Sequence, residues 1–145
     1  MGETDLHRRL VQGLASLLKK RRSGSWFLFL DGKDFSESQG CPPILGSVCP
    51  DLYARENSGN YLIIGEAKTA RDLDNEHTER QLCEYFAHLA AQDSGELLMA
   101  VPLLAAGAAH RLCRSAKVKA SAEDIPFEIT GWMFGRQAAH EVWRG

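Results

Sequence analysis

The chain has 145 residues, 44% of them apolar and 25% charged, and a formal net charge of −2 at pH 7. That is most simply one domain with enough chain to bury a core, and the composition is ordinary for a soluble globular protein. No apolar run reaches membrane-spanning length, and residues 1–20 are amphipathic rather than a secretory signal, so the expected compartment is the cytoplasm. Cys41, Cys49, Cys83 and Cys113 are scattered without a Cys-x-x-Cys pair, which favours reduced thiols over disulfides or a zinc site.

Leu6, Leu10, Leu14, Leu17 and Leu18 recur at helical spacing and predict an amphipathic helix over residues 4–21, with Thr4 at its start and Ser23-Gly24-Ser25 ending it. Residues 26–30 form a short apolar strand. Residues 31–47, with Gly, Pro, Ser and Asp, make the longest loop; it leads straight to Asp51 and is placed to form one wall of a cleft. Residues 52–55 read as a strand, Asn57-Ser58-Gly59-Asn60 as a turn, and residues 61–68 as the returning strand. After a polar connection, a second helix is expected over about 75–92, its stripe formed by Leu82, Tyr85, Phe86 and Leu89. Ser94-Gly95 breaks it. A strand at 97–102, a helix at about 104–117 and a strand at 127–134 complete the order α-β-β-β-α-β-α-β. The fold class is α/β, a mixed central sheet flanked by helices.

Within this order two carboxylates and a lysine converge. Strand side chains alternate, so Glu66 and Lys68 share a face and Ala67 points to the other. An antiparallel return brings Glu66 level with Asp51, which follows Pro50. Residues 61–65 carry no charge, and the charged residues begin abruptly at the end of that run. Two acids beside one ammonium suit metal-assisted phosphodiester hydrolysis. Mg²⁺ takes oxygen ligands and keeps several waters, so one or two carboxylates plus a substrate phosphate suffice. Such a metal polarises the phosphoryl oxygen and lowers the pKa of a bound water, and Lys68 is placed to hold that water or offset charge growing on the phosphate. The plainer alternative is a solvated strand edge with a Glu–Lys pair.

Pro50-Asp51 and Glu66-Ala67-Lys68 match the PD-(D/E)xK signature, and the chain resembles that nuclease superfamily, the restriction-endonuclease-like fold. The element order resembles the core of the same superfamily. The resemblance implies that residues 1–145 are a single nuclease-like domain, an endonuclease or other hydrolase of DNA phosphodiester bonds. It implies Mg²⁺ as the cofactor, with Mn²⁺ able to substitute. Asp51 and Glu66 would be the metal ligands, with the Ala67 backbone carbonyl as a further one, and Lys68 would orient or activate the attacking water. Defence and restriction, DNA repair or junction resolution are the settings it suggests. Gln81 and Tyr85, four apart on the second helix, look like the Gln-x-x-x-Tyr motif of the RecB-type branch, where this helix lies beside the active site; otherwise Tyr85 belongs to the apolar stripe and Gln81 to the surface. In several branches an acid on the first helix completes the metal site, and in the RecB-type branch a histidine does, which makes Glu3 and His7 alternative extra ligands. Some relatives hold an iron–sulfur cluster on four cysteines, but the spacing here does not match.

A nucleic-acid enzyme needs local positive potential, and a net charge of −2 does not supply it globally. Two clusters do so locally: Lys19, Lys20, Arg21 and Arg22, and the group His110, Arg111, Arg114, Lys117 and Lys119. Both also fit solvated helix C-termini, where cations are favourable. A weak global field makes a partner protein or a homodimer a plausible source of DNA affinity, and small members of the superfamily often work in pairs. The alternative from another class is a non-catalytic module of the same fold that binds nucleic acid or protein; the modest charge favours it, and the intact Asp-Glu-Lys set opposes it.

Overall fold

The leucine stripe of the first helix lies over one face of a sheet. The computed structural model describes residues 2–21, 25–32, 35–57, 59–73, 75–134 and 138–145, without the side chains of 2–4, 21, 138 and 139. Helix α1 is Gly2–Arg21. Leu10, Val11, Leu14, Ala15 and Leu18 are buried along it, at the spacing one helical face requires. The chain continues through β1 (Trp26–Leu30), β2 (Leu52–Glu56), β3 (Tyr61–Ala67), α2 (Glu76–Ala90), β4 (Ser94–Pro102), α3 (Ala106–Lys119), β5 (Phe127–Phe134) and β6 (Ala138–Arg144).

The strands form one mixed sheet in the order β1-β2-β3-β4-β5-β6. β3, β4 and β5 are parallel, and the other neighbours are antiparallel. The two crossovers through α2 and α3 step the same way across the sheet. A single handedness then puts both helices on one face, and α1 covers the other. Alternation along β3 and β4 divides the core accordingly. Leu62, Ile64, Leu97, Met99 and Val101 pack with α2 and α3, while Ile63, Ala67, Leu98 and Ala100 pack with α1. Covering both faces is why these strands read as unbroken apolar runs.

Beside shifts of one or two residues at several element ends, three features differ from the sequence expectation. The chain carries a sixth strand, so the expected order is corrected to α-β-β-β-α-β-α-β-β. β6 lies at the sheet edge, and residues 140–144 are exposed; its ladder to β5 is made by backbone, so it leaves no inward apolar alternation to read. β4 starts at Ser94, in the pair expected to break the helix. Gly95 is there because it faces Leu62 across the ladder, and a Cβ at this position would stand 2.5 Å from the Leu62 carbonyl oxygen. Gly95→Ala is therefore expected to destabilise the domain by about 2–3 kcal/mol, read as a lower midpoint in urea unfolding; an unchanged midpoint would show that β3 and β4 are not packed this closely. Lastly, a 3-10 turn, Leu103–Ala105, precedes α3.

The loop after β1 is tied down rather than loose. The Asp31 N–H donates to the Asp51 carbonyl at 2.9 Å and the Gln39 N–H to the Leu28 carbonyl at 2.8 Å. Phe35 joins the α1-side core, and Leu45 and Val48 join the α2-side core. The loop thus wraps the sheet edge and delivers Cys49, Pro50 and Asp51 to the start of β2. On α2, Asn75 is the N-cap, its side chain accepting from the Thr78 N–H at 2.8 Å.

Candidate active site

The β2–β3 register pairs Leu52 with Gly65, which sets Asp51 opposite Glu66. The Asp51 N–H donates to Glu66 Oε1 at 3.3 Å, and the Ala67 N–H donates to Asp51 Oδ2 at 2.8 Å. Lys68 follows the last residue of β3. Its N–H donates to the Ala100 carbonyl at 3.0 Å, which anchors its backbone, and its Nζ stands 3.3 Å from Glu66 Oε2. The three residues read from the sequence are thus one contact cluster at the end of β3.

Two helices close on it from opposite faces. From α1, His7 Nε2 lies 3.2 Å from Asp51 Oδ2. From α2, the Tyr85 hydroxyl lies 3.0 Å from Glu66 Oε1 and 3.1 Å from the Cys49 carbonyl, so its single hydrogen is shared between two acceptors. Asp51, Glu66 and Tyr85 are buried. The side chain of His7 is 41% exposed and that of Lys68 13%, so the cluster opens to solvent on the His7 side.

Charge in this cluster is unbalanced. Burial, then the Asp51 charge, push the Glu66 carboxyl up to about 8, against the lowering pull of Lys68 and Tyr85. The hydrogen bond to Asp51 raises His7 above its ordinary value despite partial burial. Burial and the neighbouring Glu66 raise the Tyr85 phenol well above its usual range, so it stays a donor. Burial and the Asp51 charge disfavour the ionised form of Glu66, and a hard divalent cation bound by the two carboxyl groups would favour it. On that chemistry the residues fit a Mg²⁺ site. Among the described residues no group of three or more His, Cys, Asp and Glu forms a ready metal cage; a cation that keeps most of its waters does not need one.

Other sequence candidates fall elsewhere. Gln81 is buried one turn before Tyr85. Its Oε1 has no hydrogen-bond partner, and among the described residues none joins it to Asp51, Glu66 or Lys68. Ala67 meets Asp51 through its N–H, a contact the sequence pattern does not single out. The Glu3 and Arg21 side chains and Arg22 lie outside the described residues. Lys19 and Lys20 are exposed, Lys19 lying 4.0 Å from Glu37. Arg111 lines an apolar groove of about 1050 Å³ whose wall includes Ala70 and Leu73, just after Lys68. Arg114 lies on a separate shallow surface with His110 and Arg144. All four cysteines are free, and no helix among the described residues is long and apolar enough to cross a membrane.

No protein-family model, curated protein or solved structure matches this chain. The reading of the site therefore rests on its own geometry. Sequence reasoning missed the Cys49 carbonyl, which anchors Tyr85 through backbone and so leaves no mark in residue type. It also missed the rings of β5 and β6 beside α1, where Trp132 and Phe134 alternate along a strand; pairing them with His140 needs the strand β6.

Proposed function

We propose that this chain is a Mg²⁺-dependent nuclease of the PD-(D/E)xK type with a restriction-endonuclease-like core, hydrolysing DNA phosphodiester bonds. The observation that carries the reading is the contact of Asp51 with Glu66 across the β2–β3 register, with the Lys68 ammonium on the far oxygen of Glu66. The raised Glu66 carboxyl supports it further, because a bound cation would favour its ionised form. DNA rather than RNA rests on the family resemblance, as do restriction, phage defence or repair as settings.

In this reading Asp51 and Glu66 hold the metal, with the Ala67 carbonyl as a further ligand. The metal supplies a polarised phosphoryl oxygen and a water of lowered pKa. Lys68 orients the attacking water and offsets charge on the phosphate in the transition state. The Ala67 N–H and His7 fix the Asp51 carboxylate, and Tyr85 fixes Glu66 by donating to Oε1, so neither ligand must reorganise as the cation arrives. Gln81, one turn before Tyr85, completes the cleft wall. His7, at the open side, is the α1 residue whose contact with Asp51 supports a part in the site.

The test is to incubate the protein with supercoiled plasmid and with single-stranded DNA in Mg²⁺, Mn²⁺ or EDTA. Cutting in either metal and none in EDTA is expected. No cutting, with no Mg²⁺-dependent rise in melting temperature, would overturn the reading and leave a non-catalytic binding module.

A further inference from the structure

Away from the acid cluster, one surface combines aromatic rings with cations. Trp132 and Phe134 lie on the same face of β5, and the register sets His140 of β6 opposite Trp132. The Trp132 and Phe134 rings stack with centroids 5.6 Å apart and planes 11° apart. His140 stacks on Trp132 at 4.5 Å. The indole is held rigidly: its N–H donates to Thr130 Oγ1 at 2.7 Å, and it presses on α1 so closely that a Cβ at Gly13 would come within 2.7 Å of it. Trp132 is thereby buried, and His140 with part of Phe134 faces outward.

Helix α1 adds the charge. The Arg9 guanidinium sits 5.9 Å from the centroid of Phe134, and Gln12 and Lys20 follow along the same groove of about 530 Å³. Among the described residues none that lines the groove is acidic. Arg9 also meets Asp5 at 3.6 Å, an exposed pair of the kind worth little and replaceable by a phosphate.

Ala67 is level with Ala100, and Pro102 is level with Trp132, so the ring stack lies at the end of the sheet where β3 delivers Lys68. It lies on the α1 face, whereas Glu66 meets Tyr85 on the α2 face. The groove is therefore a surface separate from the acid cluster, and none of its lining residues belongs to that cluster.

We infer that this groove binds a single-stranded segment of nucleic acid, with bases on Phe134 and His140 and phosphates against Arg9 and Lys20. Rings next to cations suit unstacked bases on a polyanion. Paired bases of a duplex have no free face for such a platform. Binding in the groove does not rest on the nuclease reading.

Binding of a fluorescein-labelled oligothymidylate is measured by anisotropy in EDTA, so that cleavage plays no part. Phe134→Ala and His140→Ala are each expected to weaken it about tenfold, within the range for loss of one base–aromatic stack. Lys20→Ala is expected to reduce the slope of log affinity against log salt by about 0.7, one phosphate contact to a single strand. A labelled duplex of equal length binds more weakly. Lys20 and His140 are exposed, so their variants keep the test sound even if Phe134→Ala fails to fold. Unchanged affinity in the His140 and Lys20 variants, no binding by the unaltered chain, or preference for duplex would each overturn the inference. Metal-dependent cutting alongside unaffected binding in these variants sinks the groove and spares the nuclease; groove-dependent binding without cutting does the reverse.

Discussion

Lys68→Ala is expected to lower Mg²⁺-dependent DNA cleavage about a thousandfold, the scale of removing one group that stabilises developing charge in a water-poor site. Asp51→Asn is expected to lower it at least as far and to abolish the Mg²⁺-induced rise in melting temperature. Asparagine is the informative replacement here. Its amide oxygen can still accept from the Ala67 N–H, which Asp51 Oδ2 now satisfies at 2.8 Å, whereas alanine would leave that buried donor unpaired at a cost of about 1–3 kcal/mol. Lys68→Ala removes the Glu66 counter-charge without opening the core, since Lys68 is partly exposed. Single-turnover cleavage with melting curves for each variant makes the comparison, and full activity in either variant would sink the assignment.

The second large effect is on stability. With no cation bound, the domain should lose stability as pH rises between the ordinary glutamate value and about 8, where the folded state releases the Glu66 proton. The unfolded chain has already lost that proton at the lower value. Across the window the folded state therefore binds more protons, and stability falls with pH. His7 acts in the same direction: its raised value gives stability that is complete below its ordinary value and is lost as pH rises through the raised one. The expected Glu66 contribution is about 2–4 kcal/mol, from the size of the shift at 1.36 kcal/mol per unit with allowance for relaxation on ionisation. Urea unfolding in EDTA at a series of pH values, on the unaltered chain and Glu66→Gln, measures it. Glu66→Gln should flatten most of the slope, and Mg²⁺ should oppose it in the unaltered chain. Equal pH dependence in the two proteins would show that Glu66 is an ordinary ionised carboxylate in the folded state.

Much of the site was legible because it is local. Asn57 to Asn60 is turn chemistry between two β-rich runs, and a hairpin with a fixed turn fixes its register. Once β2 and β3 pair, Asp51 must fall opposite Glu66, and alternation must put Lys68 on the face of Glu66. The stripe of Leu82, Tyr85, Phe86 and Leu89 likewise names the buried face of α2, and all four are buried. Other features are not local. The sixth strand is held by its ladder to β5 rather than by an apolar face, and Gly95 serves a strand because of a neighbour 33 residues away, Leu62.

By itself, the amino-acid sequence determined the α/β class, the hairpin and the meeting of Asp51, Glu66 and Lys68, because each follows from periodicity and turn chemistry over a few residues. Only the tertiary structure decided that His7 reaches Asp51, that Tyr85 serves both Glu66 and the Cys49 carbonyl, that Gln81 is buried with an unpartnered oxygen, and that Arg9 and Lys20 share a groove with Trp132, Phe134 and His140. These contacts join α1, the sheet and α2 across separations of 19 to 44 residues for the site hydrogen bonds. Burial and charge acting between elements, the forces that shift Glu66 and His7, have no value until the layers are packed.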